Sequence, residues 1–138
     1  MLYLESSALV KRYVLEVGTE IVQAAILADP FVATSMISAV EVRAALAAAA
    51  RAGRIPDLTR LVGSFRGDWT RYIIIGVDAQ LIDVASEGAE RHALRGYAAV
   101  QLASALAVAL TTPGLRFGTF DTALQRAAMA EGLALLTY

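Results

Sequence analysis

Residues 1–16 read MLYLESSALVKRYVLE, and the fold is decided here. A short apolar run, Leu2–Leu4, stops at Glu5, and a helical pattern takes over across 6–16. An apolar run this short that passes straight into helical periodicity reads as a strand feeding a helix. The acid at position 5 argues against a basic–apolar signal peptide.

The same alternation continues outward along the chain. Further strand-like runs fall at 31–34, 72–75, 116–119 and 133–136, separated by helical stretches near 18–28, 36–52, 57–70, 78–93, 96–111 and 121–131. Gly53, Gly114 and Gly132 lie just past helical runs, where a left-handed C-cap residue is wanted. Asp78 lies just before one, where its carboxylate can cap free amides. Alternation of this kind predicts an α/β fold with a central parallel sheet of four or five strands and helices on both faces. The first strand is expected in the middle, because its neighbours on either side bring the other acids. With no repeat, low-complexity tract or linker, residues 1–138 are expected to form one domain.

Bulk composition narrows the function. Apolar residues are 57% of the chain and charged ones 18%, much of the apolar excess being alanine in helical runs. The net charge is −1, from twelve basic and thirteen acidic side chains. Gripping nucleic acid by phosphate neutralisation alone calls for a strongly basic protein. Any nucleic-acid role must therefore rest on a local patch or on bound metal ions. The absence of cysteine excludes disulfides, thiolate metal sites and a cysteine nucleophile, and fits a reducing cytoplasm. Residues 97–110, YAAVQLASALAVAL, are uncharged but too short to span a bilayer, so a buried helix is expected and no membrane partner.

Three acids need explaining. In an open parallel sheet, ligands bind beyond the carboxyl ends of the strands. Glu5 closes the first strand, and Asp121 follows the fourth in FGTFD. Each has a plain alternative, Glu5 as a helix N-terminal charge and Asp121 as a helix N-cap. Glu41 is harder to dismiss. On a helical wheel Ile37, Ala44, Ala45 and Ala48 lie within about 60° of it, and Arg43 lies about 200° away. Glu41 is thus expected on an apolar face, where a carboxylate needs a cation, a hydrogen-bond network or an ion pair, with Arg95 as a candidate. Three such carboxylates converging at one sheet edge would offer the oxygen ligands that Mg²⁺ prefers.

These residues carry a family resemblance. MLYLESSALVKRYVLE is similar to the opening of PIN-domain toxins of the VapC type, which begin with a short strand and a D-[ST]-S-A-L-[VIA]-K run. SAVEVRAAL resembles their second signature, whose glutamate matches Glu41. LRGYAAVQLASALA resembles the third, L-R-x-x-D-A-[VI]-x-L-A-x-A, and FGTFDTALQRAA the fourth, matching Asp121. The four signatures run in family order over nearly the whole chain. The resemblance implies a three-layer PIN-like fold, Mg²⁺- or Mn²⁺-dependent cleavage of RNA (tRNA or another structured RNA), a homodimer, and a small cognate antitoxin. It implies Glu5, Glu41 and Asp121 as catalytic and metal-binding residues, with Ser7 and Thr119 assisting.

Two departures stand out. The family's first aspartate is Glu5 here, one methylene longer, and its third-signature aspartate is Ala98. Alanine cannot ligate a metal, and Gln101 offers only a neutral side chain nearly a turn away. Ala98 has two accounts, natural divergence to a binding-only domain or a deliberate inactivating change. Leu94, Leu102, Ala105 and Ala109 lie within about 40° of Ala98 on the wheel, so it is expected to face inward.

Smaller features have two readings each. Ser6 and Ser7 could cap a helix or contact the metal site, and Thr119 could orient Asp121. Lys11, Arg12, Arg43, Arg51 and Arg54 could rim a phosphate path or be solvated charges. Phe65, Trp69 and Tyr72 are expected to pack or to form a dimer surface, and the alanines of 44–50 to allow close helix approach in core or dimer. His92 is the sole histidine, which rules out a His-based cluster, and a helix C-terminus explains it.

Overall fold

The computed structural model describes residues 1–136. Among them the sheet has five parallel strands, β1 (Leu2–Leu4), β2 (Val32–Ser35), β3 (Ile73–Ile75), β4 (Arg116–Gly118) and β5 (Ala134–Leu135). Their lateral order is β3-β2-β1-β4-β5, which puts the first strand in the centre, between β2 and β4. The helices are α1 (Ser6–Leu9), α2 (Thr19–Ala28), α3 (Ser38–Arg51), α4 (Leu58–Trp69), α5 (Ala79–His92), α6 (Gly96–Ala109) and α7 (Thr122–Ala130).

Side chains alternate across a strand, and that alternation builds two cores. Tyr3 of β1 and Phe117 of β4 point to one face and stack with ring centroids 5.5 Å apart. Leu102 of α6 and Leu124 and Ala128 of α7 close over them. Leu2 and Leu4 point to the other face and meet Leu9, Val22, Val42, Leu46 and Phe65 from α1 to α4. Burying each such side chain contributes roughly 1.5–3 kcal/mol. The result is a three-layer α/β sandwich with helices on both faces. α6 packs as a core helix, with Gln101 through Ala105 all buried. No helix among the described residues is long and apolar enough to cross a membrane.

The expected elements lie within a residue or two of the observed ones, with one exception. The helix expected over 6–16 ends early: α1 is one turn, a 3-10 turn follows at Val10–Arg12, and the chain then loops to Gly18. Polar side chains explain the stop. Thr19 Oγ1 accepts from the Glu16 amide at 3.0 Å and donates to the Val14 carbonyl at 3.1 Å. Lys11 Nζ reaches Glu16 at 2.8 Å. Gly18 turns the corner with φ +91°, and a Cβ there would run into the Phe120 ring. Gly18→Ala should therefore destabilise the protein by about 2 kcal/mol or more, combining a left-handed backbone with overpacking. Thermal denaturation checks this, and an unchanged melting temperature would refute it.

Candidate active site

Because β1, β2 and β4 run parallel and adjacent, their carboxyl ends deliver the functional side chains to one edge of the sheet. Glu5 leaves the end of β1. Thr119 and Asp121 leave the end of β4, and Ser38 opens α3 just beyond β2.

Glu5 is buried, with 5% of its surface exposed. Its carboxylate accepts hydrogen bonds from the described residues through Oε2 alone. The donors are the Ser7 amide at 3.0 Å, Ser7 Oγ at 2.5 Å and Thr119 Oγ1 at 2.9 Å. The sequence offered a helix charge or a ligand; the carboxylate does cap α1, through one oxygen only. Burial raises its pKa above the ordinary carboxylate value, the serine and threonine donors oppose this, and the nearby negative charge of Glu41 raises it further. Ser7 and Thr119 also order the neighbouring loop. Ser7 Oγ accepts from the Phe120 amide at 2.8 Å, and Thr119 Oγ1 accepts from the Asp121 amide at 3.1 Å.

Glu41 is half-buried, and its setting differs from the expected one. The buried positions of α3 are Ser38, Val42, Leu46 and Ala49, whereas Ala44 and Ala48 are exposed. The buried axis thus lies about 95° around the helix from Glu41, which occupies the flank of the packed face. Nor does it pair with Arg95. Its Oε1 accepts from Ser6 Oγ at 2.8 Å and from Gln101 Nε2 at 2.7 Å. Arg95 sits at the N-cap of α6, where a hydrogen bond that its guanidinium donates to Tyr97 raises its pKa and Asp121 lies within electrostatic reach.

Gln101, set aside in the sequence as a neutral side chain, is the residue whose role sequence reasoning missed. It is fully buried on α6, donates also to Ser6 Oγ and Ser38 Oγ at 2.9 Å each, and accepts from the Tyr3 hydroxyl at 2.7 Å. Thr34 Oγ1 lies 2.7 Å from Ser38 Oγ and donates to the Leu4 carbonyl at 2.8 Å, tying this cluster to β1 and β2. The signal was present: Gln101 is the one amide in an otherwise apolar run, and a buried amide demands partners.

Asp121 caps α7. Its Oδ1 accepts from the Ala123 and Leu124 amides at 2.8 and 3.1 Å. Ala98 is buried in the first turn of α6, three residues before Gln101, so it faces inward. Among the described residues no three acidic or histidine side chains come together tightly enough to cage a metal ion. The carboxylates nevertheless share a habit. Glu5, Glu41 and Asp121 each have one oxygen held by protein donors and a second that takes no hydrogen bond from the described residues. Such a donor set suits Mg²⁺, which keeps several waters and binds through one or two carboxylates.

Three of the possible rim cations, Lys11, Arg12 and Arg54, have local ion-pair partners, and the rings pack together. Lys11 lies over the Phe120 ring, 4.2 Å from its centroid, and shares Glu16 with Arg54; Arg12 holds Asp68 at 2.7 Å. Phe65, Trp69 and Tyr72 pack with Tyr13 in a chain of edge-on and tilted rings. His92 hydrogen-bonds Glu131 at 2.6 Å.

Comparison with known proteins gives a consistent result. No family model matches the chain. Two curated relatives from Mycobacterium tuberculosis, Ribonuclease VapC45 and Ribonuclease VapC49, are each 35% identical over 134 residues, covering 96% of this chain and 92% of the relative. A toxin–antitoxin complex from Klebsiella pneumoniae matches with a TM-score of 0.65 at 18% identity, over 88% of both chains. The FitAcB structure from Neisseria gonorrhoeae matches with a TM-score of 0.64 at 16% identity, over 99% of this chain and 97% of that one. FitAB bound to an IR36 DNA fragment gives 0.66 at 16% identity, over 98% and 93%. The structures share the fold, and the curated relatives share the sequence as well: the chain belongs to the VapC family of PIN-domain proteins.

Proposed function

We propose that this chain is a VapC-type toxin, a divalent-cation-dependent endoribonuclease of a toxin–antitoxin pair, acting as a single domain over residues 1–138 with its catalysis impaired by Ala98. One observation carries the reading. Two carboxylates from separate segments, Glu5 and Glu41, lie near each other at the end of the central strand, each with one oxygen anchored and one left over. Burying like charges together is costly unless a cation joins them. The VapC relatives carry the name ribonuclease, which gives the substrate class.

In this reading Glu5 and Glu41 hold Mg²⁺ or Mn²⁺, and Asp121 completes the set. When bound, the ion lowers the pKa of attacking water and offsets charge on the transferring phosphoryl group. Ser7 and Thr119 fix the Glu5 carboxylate and shape the turn that presents Asp121. Partners are a second copy in a homodimer, a small cognate antitoxin, and structured RNA such as tRNA, all in the cytoplasm. The test is cleavage of tRNA in MgCl₂ or MnCl₂ and its abolition by EDTA. Light scattering after size exclusion reads the dimer.

Asp121 separates two roles in one experiment. Asp121→Ala should cost about 0.5–2 kcal/mol as a lost N-cap, whereas Asp121→Ser should preserve the cap and the melting temperature. Both should lose cation-dependent cleavage in a chain carrying Ala98→Asp. Full cleavage by the serine variant would reduce Asp121 to a cap.

A second reading is favoured by Ala98 and by the Asp121 carboxylate capping its own helix. In it the chain is a catalytically inactive binding module that keeps dimerisation and antitoxin or RNA binding. RNA retention without cleavage, in both the unmodified chain and Ala98→Asp, would select it.

A further inference from the structure

We propose that Gln101 is a positioning residue: its buried amide, pinned by Tyr3, aims the Glu41 carboxylate so that its second oxygen is presented to a divalent cation. The inference rests on the cation-binding reading given above and assigns a role to a side chain outside the three acids.

The geometry is over-determined. A glutamine has two N–H donors and one carbonyl acceptor. The shortest of its donor contacts, 2.7 Å, goes to the charged Glu41 oxygen, and the other N–H serves Ser6 and Ser38, each at 2.9 Å. The Tyr3 hydroxyl donates to Oε1 at 2.7 Å. Turning the amide over would set its carbonyl against the Glu41 carboxylate and its NH₂ against the tyrosine O–H. The carboxylate, which can only accept, thereby selects the orientation, and the tyrosine O–H completes it by donating to the amide oxygen. Burial raises the Tyr3 pKa well above its ordinary value, so the O–H stays in place as a donor. With no exposed surface on either side chain, the bonds form in a low dielectric, where they are stronger and more directional.

The partner's neutrality matters chemically. A lysine or arginine at 101 would hold Glu41 equally well but would cancel its charge. An amide orients the carboxylate and leaves its charge for a cation. Tyr3 also lies on β1, two residues before Glu5 at the strand's end, so β1 fixes Glu5 directly and Glu41 through Gln101. The spacing between the two carboxylates is thereby set by one rigid element. Outer partners of this kind typically change metal affinity by about 10–100-fold when removed.

The experiment titrates MnCl₂ into the full chain by calorimetry, unmodified and with Ala98→Asp, and repeats this with Gln101→Met and with Tyr3→Phe. Gln101→Met keeps the volume and deletes the amide. Tyr3→Phe keeps the stacked ring and deletes only the O–H, so it remains informative if the methionine variant fails to fold. Melting temperatures without metal are measured alongside. The expected result is about 10–100-fold weaker Mn²⁺ binding for Gln101→Met and a smaller loss in the same direction for Tyr3→Phe. A role confined to core packing would lower both melting temperatures and leave the Kd unchanged. That outcome overturns the inference while the ribonuclease reading stands. Failure of both the unmodified chain and Ala98→Asp to bind Mn²⁺ overturns the cation-binding reading and this inference with it.

Discussion

Ala98→Asp is expected to raise Mg²⁺- or Mn²⁺-dependent RNA cleavage by about 10²–10³-fold, the usual worth of one electrostatic stabiliser. The position supports the change. Ala98 is the third residue of α6, in the first turn, where the helix dipole favours an acid, and it faces inward. An aspartate there would add an oxygen ligand and a negative charge beside Gln101. It would also bury a carboxylate, so the variant should melt lower than the parent in EDTA, by about 1–3 kcal/mol, and recover when MnCl₂ is added. Adding Glu5→Asp would withdraw the extra methylene and should raise activity again. Cleavage that climbs through the unmodified chain, Ala98→Asp and the double variant marks a damaged nuclease. Full activity in the unmodified chain would show that Glu5, Glu41 and Asp121 suffice, and the claim of impairment would fall.

Glu5→Gln, made in the Ala98→Asp chain, should cut cleavage by about 10²–10³-fold while stabilising the metal-free protein at neutral pH. The two effects have one cause. Burial raises the folded pKa of Glu5, with the Glu41 charge adding to it, so the fold favours the protonated acid. Such a group contributes stability that is fully present below its unfolded pKa and is lost as pH rises through the folded pKa. As pH rises through that folded pKa the chain takes on the cost of a buried charge, which an uncharged glutamine avoids. The stability gap between variant and parent should open as pH rises through that window and close on acidification. Divalent cation should narrow it from the other side by stabilising the parent alone. Denaturation at several pH values, with and without MnCl₂, reads all of this. A glutamine variant less stable at neutral pH would mean that Ser7 and Thr119 more than offset the desolvation of the carboxylate.

Much of the fold was legible because each strand is a short buried run ending at a chemically distinct residue. β1 reads LYL and then Glu5, and parallel strands buried on both faces need no polar alternation to be recognised. The 6–16 helix was overextended because the Thr19 hydroxyl and the Lys11–Glu16 pair act across a loop that periodicity does not see. Glu41 was placed too deep for a related reason: a wheel of alanines cannot tell packed methyls from exposed ones, and the partners Val42 and Leu46 decide the face. Gln101 escaped because its role depends on Tyr3, 98 positions earlier, and on Glu41, 60 positions earlier. Sequence spacing carries no trace of either distance.

The hydrogen bond from Thr119 to Glu5 spans 114 positions, and the central strand pairs on one side with β4. During synthesis Leu2–Leu4 therefore leaves the ribosome long before the strand and the threonine that enclose Glu5. Contacts of such long range form late in folding, because closing the loop must come first. Until β4 docks, Glu5 stands at an open sheet edge without its Thr119 donor. A growing chain consequently encloses Glu5 only once residues 116–119 have been made and have docked on the central strand.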